Sequence, residues 1–163
     1  MTARARRWGW IGLLAVLVVL GATGCGARAD TNQPPQIAYG QDSCDRCQMI
    51  TSEENMAAAY WTTDGQARRF DDIAEMVTFE QETGEEVATR WVHDLHSGEW
   101  LNAAGAYFVL GSGVQTPMGS GIVALDSQEA ADALAFGLDG AMVVDYGGLQ
   151  SQMTGNTPGS THQ

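Results

Sequence analysis

The order of apolar and polar residues predicts strands and one helix in the first half of the chain. Thr63-Asp64-Gly65 is a hairpin turn sequence between two apolar stretches. Asp72, followed three positions later by Glu75, is typical of a capped helix start. The predicted strands are residues 56–61, 66–70 and 87–95, and the helix is predicted to end at Gly84.

The second half repeats this order with different residues. Asp126 and Glu129 predict another capped helix, which ends at Gly137. The predicted strands are residues 99–103, 107–110, 121–125 and 141–146. Apart from one additional strand before the second helix, the order strand, strand, helix, strand thus occurs twice. This order predicts an α+β fold, with two similar ββαβ-type units and antiparallel sheets in one compact domain.

The beginning of the chain is typical of a secretory signal peptide, predicted as residues 1–24. Arginines precede an apolar run at residues 11–20, well short of the roughly 20 residues that span a bilayer as a helix. Residues 22–25, with the sequence ATGC, resemble a bacterial lipobox, in which the cysteine becomes lipidated. Cleavage nearby that leaves Cys25 free is the alternative.

Composition divides the remainder of the chain into three parts. Residues 25–38, which begin at the lipidated cysteine, are polar, contain prolines and are predicted to be a flexible tether. Residues 39–149 are long enough for one compact domain with a modest core. Residues 150–163 are rich in small polar residues and are predicted to be a disordered tail.

The chain is strongly acidic, with a formal net charge of −12. Removal of residues 1–24 would leave five arginines, no lysine and all twenty acidic residues, for a net charge of −15. Such a surface repels phosphate backbones, so nucleic-acid binding is not expected. The sequence contains no nucleophile elbow, phosphate loop or dinucleotide fingerprint, so we predict no enzymatic activity.

Residues 44–49, with the sequence CDRCQM, place two thiols and one thioether within a short segment. Soft sulfur ligands select Cu(I), zinc or iron–sulfur clusters over hard cations. A methionine favours Cu(I), because zinc rarely binds thioethers. An extended segment would place Cys47 and Met49 on the same face. The sequence therefore predicts a Cu(I) site with these two residues as ligands, although Met49 could instead begin a core strand.

Other roles for Cys44 and Cys47 remain open. As half of a zinc site, the pair lacks a second pair of ligands at the usual spacing. As a dithiol redox centre, it lacks the preceding strand and the following helix whose dipole would lower the thiol pKa. As a structural disulfide, it would close a very short loop in an oxidising compartment. Cys44 is therefore an alternative copper ligand, a redox partner or one half of a disulfide.

Three further residues are candidate ligands. Met118 lies in a loop bounded by Pro117 and Gly119, where a methionine has no evident packing role. His93 is predicted to lie on a strand and His96 to open the turn that follows. Either histidine could supply a nitrogen ligand, although a lone histidine is more often structural.

Six short motifs, taken in order, connect this chain to a known family. They are CQMI at 47–50, FDDI at 70–73, WVHD at 91–94, GEW at 98–100, AYFV at 106–109 and TPMG at 116–119. Together they resemble the NosL family of nitrous-oxide-reductase accessory lipoproteins, over roughly residues 44–149. Members of this family commonly have glycine at the position of Gln48.

The resemblance implies a Cu(I)-binding metallochaperone built from two ββαβ-type units. Cys47, Met49 and Met118 are the copper ligands that it implies, with His93 or His96 as a further ligand. It also implies that copper is delivered for the copper centres of nitrous oxide reductase. The implied partners are a periplasmic solenoid protein and an ABC transporter.

The implied location is the extracytoplasmic face of the cell envelope, where a lipid on Cys25 anchors the protein to the membrane. The residues themselves leave one alternative function open. Cys44 and Cys47 could serve an extracytoplasmic thiol–disulfide oxidoreductase.

Overall fold

The computed structural model describes residues 29–155, which form two antiparallel β-sheets and three α-helices. The first sheet contains β1 (Ala58–Thr62), β2 (Ala67–Phe70), β3 (Val87–His93) and β4 (Trp100–Asn102). The second sheet contains β5 (Tyr107–Leu110), β6 (Ile122–Leu125) and β7 (Met142–Val144). The helices are α1 (Ile73–Thr83), α2 (Gln128–Phe136) and α3 (Tyr146–Gly155). The predicted α+β fold class is confirmed.

The first unit consists of β1, β2, α1 and β3, with its strands in the order β2-β1-β3. β1 and β2 form the predicted antiparallel hairpin. α1 begins after Asp72, whose carboxylate accepts a hydrogen bond from the Ala74 N–H at 2.7 Å. The helix ends at Gly84, where φ is 65° and glycine is favoured. α1 thus connects the two strands on either side of β1.

The second unit consists of β5, β6, α2 and β7, and its strands lie in the order β6-β5-β7. In both units the first strand is central, and the helix connects the second strand to the third. The predicted pair of similar ββαβ-type units is therefore confirmed by the shared topology.

Two details of the second half differ from the prediction. The strand predicted at residues 99–103 is β4, which pairs with β3 and extends the first sheet. α2 is capped by Ser127, whose hydroxyl accepts a hydrogen bond from the Ala130 N–H at 3.4 Å, rather than by Asp126. Asp126 instead donates its backbone N–H to the Asp94 carboxylate at 3.0 Å, which fixes the end of β6.

α3 changes the predicted C-terminal boundary of the domain. Tyr146, predicted to end a strand, begins this helix. Leu149 is fully buried in the core, and Met153 packs against it. Residues 150–155 are therefore helical rather than part of a disordered tail, while residues 156–163 lie outside the described residues.

The main core lies between the first sheet and α1 and extends to the second sheet. Tyr60, Phe70 and Phe108 are fully buried, and the rings of Phe70 and Phe79 lie 5.5 Å apart. Full burial of one such side chain contributes about 1.5–3 kcal/mol to folding. Cys44 belongs to the same buried cluster, so the core itself positions the first candidate metal-site residue.

Residues 31–38, called the N-terminal arm, lie against the first sheet. The Thr89 hydroxyl donates a hydrogen bond to the Thr31 carbonyl at 2.7 Å. The Trp61 indole N–H donates to the Gln33 carbonyl at 2.8 Å. Because these contacts hold its backbone, residues 31–38 are not part of a flexible tether as predicted, and residues 25–28 of the predicted tether lie outside the described residues.

Two further predictions concern parts of the chain outside the described residues. These are the signal peptide at residues 1–24 and the lipidation of Cys25. Within residues 29–155, none of the helices combines the length and apolar character needed to cross a membrane.

Candidate metal centre

Residues 44–49 form a closed loop, which we call the sulfur loop. Ser43 and Ile50, on either side of it, pair as an antiparallel bridge. Just inside this bridge, the Cys44 N–H donates a hydrogen bond to the Met49 carbonyl at 2.8 Å. The backbone therefore holds the two thiols and the thioether in one fixed turn.

Gln48 closes the sulfur loop in an unusual conformation. Its φ of 62° lies in the left-handed region, which costs a non-glycine residue about 1–2 kcal/mol. Its side-chain amide donates to the carbonyls of Cys44 and Asp45 at 3.2 and 3.0 Å, and these bonds offset part of that cost. Because Gln48 turns the chain, the predicted extended path from Cys47 to Met49 is wrong.

Two side chains attach the sulfur loop to its surroundings. Asp45 donates its backbone N–H to the Arg69 carbonyl at 2.8 Å, and its carboxylate accepts the Arg69 N–H at 2.7 Å. The Arg46 guanidinium donates to Glu75 at 2.9 Å and to Glu82 at 2.9 and 3.1 Å. The loop is therefore fixed between β2 and the exposed side of α1.

Cys44 and Cys47 are free thiols that differ in exposure. Cys44 is fully buried and Cys47 is half-buried, and the Cys47 N–H donates to the Cys44 sulfur at 3.4 Å. A carboxylate oxygen of Glu75 and the two sulfur atoms all lie within 4.8 Å of one another. Among residues 29–155, these three side chains are the one group of His, Cys, Asp or Glu residues whose ligand atoms lie close enough together to share one metal ion.

Nothing in the sequence marks Glu75 as a site residue beyond its place in the first turn of a helix. The packing of α1 against the sulfur loop brings it to the thiols. Burial raises the pKa of Cys47 to about 11, with further contributions from Cys44 and Glu75. In the metal-free protein, the Cys47 thiol is therefore protonated at neutral pH.

Met49 and Met118 both have exposed side chains, at 50% and 38%. The loop that carries Met118 is fixed to α1, because the Ser120 hydroxyl donates to the Asp72 carboxylate at 2.8 Å. A groove of about 740 Å³ is lined by Arg46 of the sulfur loop and by Ser120. The loops that carry Met49 and Met118 therefore border the same groove.

The two histidine candidates lie in different surroundings. His93 is buried: its Nδ1 donates to the Gly98 carbonyl at 2.6 Å, and its Nε2 accepts from the Tyr39 hydroxyl at 2.9 Å. Its ring also packs on Trp100, with centroids 3.7 Å apart. Because both ring nitrogens are engaged, this arrangement does not support His93 as a metal ligand. His96 is exposed in the turn after β3 and is not part of the thiol group.

Known proteins resemble this chain in sequence and in fold. A family model described as NosL matches residues 36–154. The copper-binding lipoprotein NosL of Stutzerimonas stutzeri is 27% identical over 146 residues, which cover 82% of this chain and 76% of that protein. The crystal structure of the copper chaperone NosL from Shewanella denitrificans matches with a TM-score of 0.60 at 20% identity. This match covers 69% of the present chain and 92% of the other, and it shows a shared fold.

Proposed function

The chain belongs to the NosL family, and we propose on that basis that it binds Cu(I) and carries it to a recipient protein, without catalysing a reaction. The names of both relatives, a copper-binding lipoprotein and a copper chaperone, support this function. The observation that carries it is a single groove bordered by two loops. One loop carries the half-buried Cys47 thiol and the exposed Met49 thioether, and the other carries the exposed Met118 thioether.

The proposed ligands are Cys47, Met49 and Met118. Thiolate and thioether sulfur are soft donors that favour Cu(I) over harder cations. One thiolate and two neutral thioethers also balance the single positive charge of Cu(I), so the bound ion leaves no net charge to be desolvated. Cys44 lies behind Cys47 as a further thiol, and His96 is exposed and has no assigned role in this set.

The exposure of these donors suits a carrier. A recipient must place its own ligands on the ion before the carrier releases it. About half of the Met49 side chain and more than a third of the Met118 side chain are exposed. An approaching protein can therefore reach the ion from the side of the two methionines while Cys47 still holds it.

We propose that copper is delivered for the copper centres of nitrous oxide reductase. The proposed partners are a periplasmic solenoid protein and the associated ABC transporter. A lipid on Cys25 would keep the protein at the extracytoplasmic face of the membrane. The lipoprotein name of the relative from S. stutzeri supports this location.

The geometry favours a copper carrier over a thiol–disulfide oxidoreductase. Cys44 and Cys47 lie in a closed turn, with no helix following them whose dipole could stabilise a thiolate. Cys44 is fully buried, and the pKa of Cys47 is raised rather than lowered. A catalytic dithiol needs an accessible thiol with a lowered pKa.

Anaerobic titration with Cu(I) against a competing chelator tests this function in the reduced full-length chain. Cys47→Ser removes the thiolate and Met49→Leu removes a thioether while preserving size. We expect each substitution to weaken Cu(I) affinity by about tenfold or more, because each deletes a donor. Circular dichroism checks that the fold is retained.

Met56→Leu is the matched control, because Met56 lies in the turn Glu54–Met56, packs against the core of the second unit and does not line the groove. Its Cu(I) affinity should equal that of the wild type. If Cys47→Ser and Met49→Leu bind Cu(I) as tightly as Met56→Leu, the proposed ligands are wrong.

A further inference from the structure

The large apolar side chains that the fold leaves exposed lie in or near the segments that line one groove. In residues 29–155 they are Met49, Ile50, Met118, Phe136 and Met142. Met142 lines the groove of about 740 Å³, and Met118 directly precedes Gly119, which also lines it. Arg46, which lines another part, is followed closely in the chain by Met49 and Ile50. Phe136 comes three residues before Asp139, which is a lining residue as well. Single exposed apolar residues are common on protein surfaces, but a group of them around one groove indicates an interaction site.

Phe136 is the most exposed of these side chains, at 95%. It is the last residue of α2, and this helix is fixed to the second unit because Ala131 is fully buried in its core. After Gly137, Leu138 packs against the same core. The fold therefore uses the neighbouring leucine for packing and leaves the Phe136 ring in solvent at a fixed position. Phenylalanine and methionine are both enriched at the centres of protein–protein interfaces.

The surroundings of Phe136 are negatively charged. Asp132 lies one helical turn before it and Asp139 three residues after it, and both are exposed. Within the described part of the chain, neither carboxylate takes part in an ion pair, whereas every arginine there is paired with a carboxylate. The whole chain contains no lysine. A partner that covers this surface therefore has to supply the positive charge itself.

We propose that the groove and the five exposed apolar side chains around it form the docking surface for the protein that exchanges copper with this chain. This inference rests on the copper-carrier function proposed above. The matching face of the partner has an apolar centre that covers Phe136 and Met142, with lysine or arginine side chains opposite Asp132 and Asp139. A partner docked there has its own ligands next to the exposed thioethers that border the groove.

The charge of the chain favours a basic protein over two other occupants of the docking surface. The formal net charge is −12, so a second copy of the chain is repelled over a long range. Anionic lipid headgroups carry the same sign and are repelled as well. A cationic protein face is instead attracted, which raises the rate of association and places the partner in one orientation.

The test measures binding of the Cu(I)-loaded full-length chain to the solenoid protein and ABC transporter proposed above, purified together in detergent. Phe136→Ser should weaken binding by about tenfold or more, because it removes the central apolar anchor. Ala133→Ser is the matched control, because Ala133 is exposed on the same helix but is small, and it should bind like the wild type. Equal affinities of the two variants, or no binding of the wild type, would overturn the docking surface.

A second pair of variants tests the charge of the partner. Asp132→Asn combined with Asp139→Asn should lower the association rate by about threefold or more, because exposed charges steer the encounter. Glu54→Gln combined with Glu99→Gln is the control, since it removes the same charge from exposed positions that do not line the groove. If both double variants associate at the same rate, the partner does not face these aspartates with positive charge.

Two measurements on the chain alone test the other occupants. Analytical ultracentrifugation detects a dimer, and sedimentation with vesicles of phosphatidylethanolamine and phosphatidylglycerol detects membrane binding. We expect wild type and Phe136→Ser to behave alike in both. A dimer or a vesicle-bound fraction that Phe136→Ser abolishes would assign the surface to a second copy or to the membrane, and would overturn the proposal.

Titration with Cu(I) separates failure of this inference from failure of the copper function. Phe136→Ser should bind Cu(I) as tightly as the wild type, because Phe136 is not a proposed ligand. A wild-type chain that does not bind Cu(I) would contradict the copper function. A Phe136→Ser protein that binds both Cu(I) and the partner like the wild type would contradict the docking surface alone.

Discussion

The Ser120 hydroxyl donates a bifurcated hydrogen bond to the two carboxylate oxygens of Asp72, at 2.8 and 2.9 Å. Asp72 is also the cap of α1, where it accepts the Ala74 N–H. One carboxylate therefore sets the start of the helix that carries Glu75 and the position of the loop that carries Met118.

The contact between Ser120 and Asp72 should be needed for the contribution of Met118 to copper binding. We expect Ser120→Ala to weaken Cu(I) affinity, because the loop loses its attachment to α1. Met118→Leu should then cause little further loss in the Ser120→Ala protein, since two substitutions that act through one contact are not additive. Titration of the two single variants and the double variant measures this coupling.

Ser112→Ala is the control for that experiment, because Ser112 is an exposed serine that precedes the same loop. It should leave Cu(I) affinity unchanged. Fully additive effects of Ser120→Ala and Met118→Leu would mean that the serine does not position the methionine.

Gln48 should be replaceable by glycine with less loss of stability than by alanine. The Gln48→Ala variant loses the side-chain hydrogen bonds to Cys44 and Asp45. It still has to adopt the left-handed backbone conformation at φ 62°, which is unfavourable for alanine. Glycine loses the same bonds but tolerates the left-handed conformation. We expect the free energy of unfolding of Gln48→Ala to be about 1 kcal/mol lower than that of Gln48→Gly. Urea denaturation checks the order, and equal stabilities would contradict it.

The free energy of unfolding should decrease in mild acid because His93 is buried in the folded protein. Burial lowers the pKa of His93, although its bond to Gly98 and the charges of Glu54 and Glu99 oppose the shift. Below the ordinary histidine pKa of about 6.5, the unfolded chain therefore binds a proton more readily than the folded chain. The free energy of unfolding should fall as the pH drops from 7 towards the lowered pKa.

Replacement of each histidine by glutamine isolates this effect. His93→Gln should have a smaller decrease in stability between pH 7 and pH 5 than the wild type, whatever its stability at pH 7. His96→Gln is the control, because His96 is exposed, and it should keep the wild-type dependence. Denaturation at several pH values measures the slopes. Identical slopes for all three proteins would exclude His93 as the source.

The Cys47 thiol should react slowly with alkylating reagents at neutral pH. The pKa of about 11 leaves little thiolate, which is the reactive form. In the metal-free protein, the rate should rise steadily from pH 7 to pH 10. Tryptic cleavage after Arg46 separates Cys47 from Cys44 and Cys25, so mass spectrometry of the peptides follows the reaction of Cys47 in the wild-type chain. A pH-independent, fast reaction at pH 7 would instead indicate a lowered pKa and favour the oxidoreductase.

Much of the fold follows from local sequence features. Asp72 and Gly84 mark the ends of α1 because a short acidic side chain satisfies free N–H groups and glycine adopts a left-handed end. The predictions are wrong where contacts between distant parts of the chain determine the secondary structure or the sheet that a strand joins. β4 could join either sheet by its sequence, and Tyr146 has a residue type common in strands but begins a helix.

The candidate site was predictable only in part. The soft donors Cys47 and Met49 are recognisable because they are close in sequence and unusual in type. Glu75 is 28 residues away from Cys47, and no local pattern distinguishes it from nineteen other acidic residues. His93 resembles a ligand in the sequence, but its hydrogen bonds to Tyr39 and Gly98 depend on distant packing.

The attachment of the N-terminal arm limits how far the domain can travel if Cys25 bears a lipid. Thr31 is already bound to the first sheet through Thr89. The residues between Cys25 and Thr31, even fully extended, reach no more than about 20 Å. The domain would then stay within about 20 Å of the bilayer surface. A recipient protein must therefore come to that surface to receive the copper ion.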